Sequence, residues 1–168
     1  RSARSSEKGL PFTEKGITVK IGNYQDPSSL VEAMQGIDSV LLISSSDFND
    51  RIGQHKNVID AAKAAGVQHI YYTGVAIKDI KTSPLKPLLG DHFETEEHIK
   101  QSGLTYTFLR NSLYADVVPM FIGANVLETG VFFPAGEGKV AFATRNDLAK
   151  AIAKIVASNG HENKTYHL

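Results

Sequence analysis

The chain has 168 residues, 42% apolar and 21% charged, which is the balance of one globular domain rather than of a disordered segment. Eighteen Lys and Arg offset eighteen Asp and Glu, so no net charge draws nucleic acid or an anionic membrane surface as a partner. Cysteine is absent, which excludes disulfides, thiolate catalysis and Cys-ligated metals and suits a reducing cytoplasm, the expected location.

The opening, Arg1 to Gly16, is polar and punctuated by Gly9, Pro11 and Gly16. Ile17, Val19 and Ile21 then alternate at period two, which predicts a half-buried strand over 17–21. Asp26-Pro27 supplies an N-cap and a first-turn proline; Leu30, Val31, Met34 and Ile37 follow at helical spacing, and Gly36 closes the helix. Ser39 to Ile43 is a continuous apolar run ending in serines, the pattern of a strand buried on both faces of a parallel sheet. A helix is predicted from Asp50 to Ala65, stopped by Gly66, and a strand over 67–73. The segment 78–87 reads as a solvated loop, followed by a helix over 88–101, a stop at Ser102-Gly103 and a strand over 104–109. Beyond it come a helical stretch over 113–128, an apolar strand over 131–133, a turn over 136–138 and a short strand over 140–143. Thr144 and Asp147 form a capping box ahead of Leu148, Ile152, Ile155 and Val156, and the chain reaches Leu168 in strand-like sequence. The alternation predicts an α/β, Rossmann-like parallel sheet with helices on both faces. Both ends read as interior sequence, and no apolar run is long enough to cross a bilayer.

In open parallel sheets, ligands bind beyond the carboxyl ends of the strands. The segments to weigh are therefore Gly22-Asn23-Tyr24, Ser44-Ser45-Ser46, Thr73-Gly74 and Arg110-Asn111-Ser112. Each offers hydroxyls, amides or exposed backbone.

The run from Gln54 to Thr73 resembles a helix–strand unit of the NmrA-like atypical short-chain dehydrogenase/reductase family, and in particular the type 2 NAD(P)H:quinone oxidoreductases. Leu41 to Ser44, Thr95-Glu96, Tyr106 to Asn111 and Ala135 to Lys139 agree with that family in order and spacing. The resemblance runs from about Ala3 onward and implies one NAD(P)-binding domain over 1–168, with 112–143 forming part of a substrate lobe. The family's glycine-rich fingerprint does not occur here. The resemblance implies that the first strand, the glycine loop and the first helix precede Arg1, and that helix follows Leu168. The intact polypeptide is expected to contain that strand, because a central strand left out would bare an apolar edge with unpaired backbone groups.

The cofactor implied is NADP(H). In family register Arg4 stands where an arginine holds the adenosine 2′-phosphate, against the alternative of a surface arginine. Asn23 and Tyr24 would flank the adenine; Ile43, Ser44 and Ser45 would approach the ribose and pyrophosphate; Thr73 and Gly74 would lie beside the nicotinamide ribose. Ser45 reads equally as an ordinary loop serine. His92 stands where a histidine could bond the nicotinamide ribose or donate a proton, its ordinary pKa being near neutrality, and otherwise is a surface histidine. Asn111 would orient cofactor or acceptor oxygen. Leu113 and Tyr114 would contact the substrate; Met120, Phe121 and Phe133 suit either a pocket or the core, with the core favoured for Met120 and Phe133. His55 shares an apolar face with Ile52 and Val58, which suits a packed histidine. The Tyr-x-x-x-Lys relay of short-chain dehydrogenases is missing, and no metal-ligand spacing occurs.

These expectations combine into an NADPH-dependent, flavin-free reductase of quinones or related conjugated carbonyls. Its catalytic residues would be His92 and Asn111, its partner a small quinone-like molecule, and the reading allows a homodimer. The alternative is a dinucleotide-binding redox sensor of the NmrA type without turnover. Fold resemblance does not choose between them.

Overall fold

The structure, a computed structural model, describes residues 2–3, 6–131 and 136–168. Arg4 and, of the strand expected over 131–133, Phe132 and Phe133 lie outside the described residues. The elements run β1 (Ser2–Ala3), α1 (Ser6–Thr13), β2 (Lys20–Ile21), α2 (Pro27–Met34), β3 (Ser39–Ile43), α3 (Arg51–Ala64) and β4 (His69–Val75). There follow α4 (Lys86–Ser102), β5 (Thr105–Asn111), β6 (Leu113–Tyr114), a 3-10 turn over Ala115–Val117, α5 (Val118–Ile122), α6 (Val126–Thr129), β7 (Phe142–Ala143), α7 (Arg145–Val156) and β8 (Lys164–His167).

The main sheet is parallel, in the order β3-β4-β5-β8; β1-β2 and β6-β7 form separate parallel pairs. Among the described residues β3 has a partner on one edge only, β4. Period-two alternation sorts the side chains between two layers. Leu42, Ile70, Tyr72 and Phe108 turn to one face and pack against Leu30 and Met34 of α2, Val58, Ile59 and Ala62 of α3 and Ile99 of α4. Tyr71, Leu109 and Tyr166 turn to the other face and meet Ile152 and Ile155 of α7. Helices therefore cover both faces, as the alternation predicts.

Local chemistry sets the ends of these elements. Asp26 accepts the Ser28 and Ser29 N–H groups at the head of α2, and Thr144 accepts the Asp147 N–H at the head of α7. Gly103 closes α4 at φ 83°, a left-handed conformation that costs glycine nothing.

Several sequence expectations change: the Ser39–Ile43 strand, expected to be buried on both faces, leaves Leu41 and Ile43 exposed, and the 140–143 strand shortens to Phe142–Ala143. The 17–21 strand shrinks to Lys20–Ile21, which pair with Ser2 and Ala3 of β1; among the described residues 17–19 have no ladder partner. The polar opening contains α1 despite Pro11. The helical stretch over 113–128 breaks into β6, the 3-10 turn, α5 and α6, with Gly123 at φ 82° ending α5. Met120, expected in the core, is 81% exposed, since the five-residue α5 buries no side chain.

Candidate active site

Parallel register brings the ends of β3, β4 and β5 to one side of the sheet: Ile43 stands beside Thr73, Thr73 beside Leu109, and Val75 beside Asn111. The tips are tied together by their own polar groups. The Ser44 N–H donates to Thr73 Oγ1 at 2.9 Å. The Tyr24 hydroxyl, carried by the turn after β2, donates to the Ile43 carbonyl at 3.2 Å, and Asn57 Nδ2 of α3 donates to the Tyr24 carbonyl at 2.9 Å. Burial pushes the Tyr24 phenol pKa up, so it acts as a neutral donor.

Beneath these tips lies a cavity of about 540 Å3 between the sheet and α7. Thr73, Asn111, Tyr114 and Arg145 supply its polar lining; Leu41, Ile43, Leu148, Ile152 and Val156 supply apolar wall. Asn111 is 6% exposed; its Nδ2 donates to the Tyr114 hydroxyl at 3.3 Å, while Oδ1 is buried and unpartnered among the described residues. An unpaired buried amide oxygen costs about 1–3 kcal/mol. The Arg145 guanidinium stands 4.8 Å over the Tyr114 ring, giving the cavity mouth a flat cationic rim.

The other expected residues sit differently. Asn23 is turned into its own loop, accepting the Gln25 N–H on its side chain at 3.2 Å. The Ser45 hydroxyl is spent on Gln54 Oε1 at 2.8 Å, so Ser45 faces the protein. Gly74 packs close to Glu96 and Tyr72, where an added Cβ would stand 3.4 Å from Glu96 Oε1. Glu96, 2% exposed, clamps Arg110 bidentately at 2.8 and 2.6 Å. Leu113 is 45% exposed on β6 and is not part of the cavity wall.

His92 departs from expectation in its charge. Its Nδ1 pairs with the Tyr72 hydroxyl at 2.9 Å, and burial beside the Arg51 guanidinium holds its pKa down to about 4. The imidazole is neutral at pH 7, a hydrogen-bonding group rather than a ready proton source. His92 is not part of the cavity wall. Sequence reasoning passed over Leu41, Arg145 and the α7 side chains; the α7 apolar periodicity was visible, but not which strand ends it would face. Among the described residues no cluster of three or more His, Asp or Glu side chains is placed to hold a metal, and no helix is long and apolar enough to cross a membrane.

The model of the NmrA-like family matches residues 1–167. Quinone oxidoreductase 2 of Escherichia coli is 46% identical over 166 residues, which is 98% of this chain and 57% of that protein. The solved structure of the E. coli NADPH-dependent quinone oxidoreductase complexed with NADPH superimposes with a TM-score of 0.90 at 43% identity, over 99% of this chain and 58% of that one. The triphenylmethane reductase of a Citrobacter species complexed with NADP(H) gives 0.87 at 40% identity, over 99% and 59%. This chain thus spans a little under three fifths of the length of these relatives. A parallel α/β sheet with its polar strand tips gathered over one cavity, and a match running almost end to end, make the chain a member of the NmrA-like family.

Proposed function

We propose that this chain carries the strand-tip part of an NADPH-dependent reductase acting on quinones or related conjugated carbonyls. The observation that carries the reading is the buried, unpartnered Asn111 Oδ1 at the polar end of an apolar cavity under the tips of β3, β4 and β5. The residues present fit the nicotinamide half of such a cofactor: hydrogen-bonding groups at the rim, and beside them a wall that suits a flat acceptor. The pyrophosphate cradle is not formed by the described residues, and Arg4, the candidate for the 2′-phosphate, lies outside them. When bound, NADPH would supply the hydride.

This chain's own groups then have distinct tasks. Asn111 offers an acceptor that fixes the orientation of an amide or hydroxyl presented to it. Thr73 and Ser44, bonded to each other, hold the tips of β3 and β4 in register. Leu41, Ile43 and the α7 side chains exclude water from the reacting faces. His92 aligns rather than protonates, and an easily reduced quinone needs no strong acid. The triphenylmethane reductase and the quinone oxidoreductases to which this chain is similar support a planar, conjugated acceptor.

The test is NADPH oxidation by the complete natural protein with 1,4-benzoquinone as acceptor, alongside NADPH binding measured without acceptor. Turnover without added flavin is the expected result. Tight NADPH binding with no turnover across a panel of quinones would contradict the reductase and favour a dinucleotide-binding regulator. Absence of binding would contradict both.

A further inference from the structure

The first turn of α3 is committed to the loop that leaves β3. Arg51 Nε donates to the Ser45 carbonyl at 3.0 Å and Nη1 to the Leu88 carbonyl at 3.1 Å. Gln54 accepts the Ser45 hydroxyl and donates through Nε2 to Asp47 Oδ2 at 2.6 Å. His55, fully buried, completes the set: its Nε2 accepts the Ser45 N–H at 2.9 Å.

These bonds fix the histidine's tautomer. A backbone N–H only donates, so Nε2 carries the lone pair and a neutral ring holds its proton on Nδ1. Nδ1–H then donates to Thr95 Oγ1 at 2.8 Å, and the Thr95 hydroxyl passes its own hydrogen to the Asp91 carbonyl at 2.7 Å. The chain of bonds runs from the β3 loop through His55 to α4, the helix that bears His92. Every donor in it meets an acceptor. Burial, then the repulsion His55 would meet from His92 if both rings were protonated and from the Arg51 guanidinium, holds the His55 pKa down to about 4, in keeping with a neutral ring. A core slot alone would be filled by leucine or phenylalanine; two directional bonds to different elements are what require an imidazole.

We propose that His55 is a positioning residue, whose Nδ1–H tautomer locks the Ser44–Asp47 loop onto α4 and so sets the strand-tip geometry that receives the dinucleotide. The dinucleotide part of this role rests on the reductase reading above.

Two conservative variants separate the two bonds. Glutamine places an amide oxygen near the Nε2 position and can still accept the Ser45 N–H. Asparagine reaches only the Nδ1 position and cannot. In the complete natural protein, NADPH affinity without acceptor and amide hydrogen exchange over residues 44–47 are compared for wild type, His55→Leu, His55→Gln and His55→Asn. His55→Leu and His55→Asn are expected to speed loop exchange and to weaken NADPH binding about tenfold, the scale of one buried hydrogen bond left open. His55→Gln is expected to restore most of both. Nitrogen chemical shifts of the wild-type ring should show Nδ1 protonated and Nε2 bare.

A folded His55→Leu with wild-type exchange and affinity would overturn the proposal, as would an Nε2–H ring in the wild type. Should His55→Leu fail to fold, the Gln and Asn contrast and the ring signature decide. If the wild type binds no NADPH, the reductase reading fails and the dinucleotide role of His55 falls with it. The exchange contrast still shows separately whether His55 holds the loop.

Discussion

Adjacent residues of β3 live in different worlds. Leu42 is 1% exposed against α2 and α3, whereas its neighbours Leu41 and Ile43, pointing to the other face, are 36% and 59% exposed beside the cavity. One face of the sheet is a closed core, crossed by a satisfied polar network through His55, Thr95 and Asp91. On the other, Ile152 and Ile155 of α7 reach Tyr71 and Leu109. The closed face holds the buried core; the open face keeps apolar side chains exposed beside Thr73 and Asn111. Burying that surface under a bound molecule is worth roughly 25 cal/mol per Å2, so the free energy withheld from the fold is available for binding.

The comparison breaks most visibly under truncation of one aliphatic side chain on each face. Ile59→Ala, in the closed core, is expected to lower unfolding free energy by about 2–5 kcal/mol, while Ile43→Ala on the open face costs well under about 1 kcal/mol; denaturant melts of the two variants measure both. Acid should then act on the closed face. His55 is held at about 4 against an ordinary 6.5. The unfolded chain takes up a proton between those values and the folded one does not. The contribution is thus whole above pH 6.5 and is lost as pH falls toward 4, by about 3 kcal/mol for His55. His92 is shifted the same way and adds to it. Melts between pH 7 and pH 4 should show this slope, and His55→Gln should flatten part of it. The smallest effect belongs to α7: Thr144→Ala removes the cap from the Asp147 N–H and should cost about 1 kcal/mol, read as a shift in denaturation midpoint with an unchanged slope.

The sequence pattern exposes the closed face far better than the open one. The apolar run from Val40 to Ile43 reads as a strand buried on both faces, yet Leu41 and Ile43 stay exposed on one of them, because the run shows the strand's character and not what covers it. The caps at Asp26, Gly103 and Thr144 were legible because each is a local bargain between a side chain or a free φ and the helix end. The helix α1 was not, since Gly9 and Pro11 argue against one and no apolar stripe argues for it. Of the candidate site, Thr73 and Asn111 follow from the rule that ligands meet strand ends, Ile43 and Tyr114 came only with the family resemblance, and the structure places all four around one cavity. Arg145 arrives from a helix more than thirty residues beyond Asn111 in the chain, and nothing local in the sequence marks it. His55 looked like packing because Ile52 and Val58 share its helix face; the Ser45 N–H that gives it a task comes from another element. His92 was expected near its ordinary pKa because only the fold brings Arg51 and the burial that shift it.

The central claim is that the Asn111 amide, left half-satisfied on the open face, orients what reacts there. The direct measurement is single-turnover NADPH oxidation by 1,4-benzoquinone in the wild type and in Asn111→Leu, with NADPH affinity determined for each without acceptor. The account predicts a rate lower by at least about tenfold in the variant, with the protein folded and NADPH still bound. A folded Asn111→Leu that binds NADPH and turns over at the wild-type rate would contradict it.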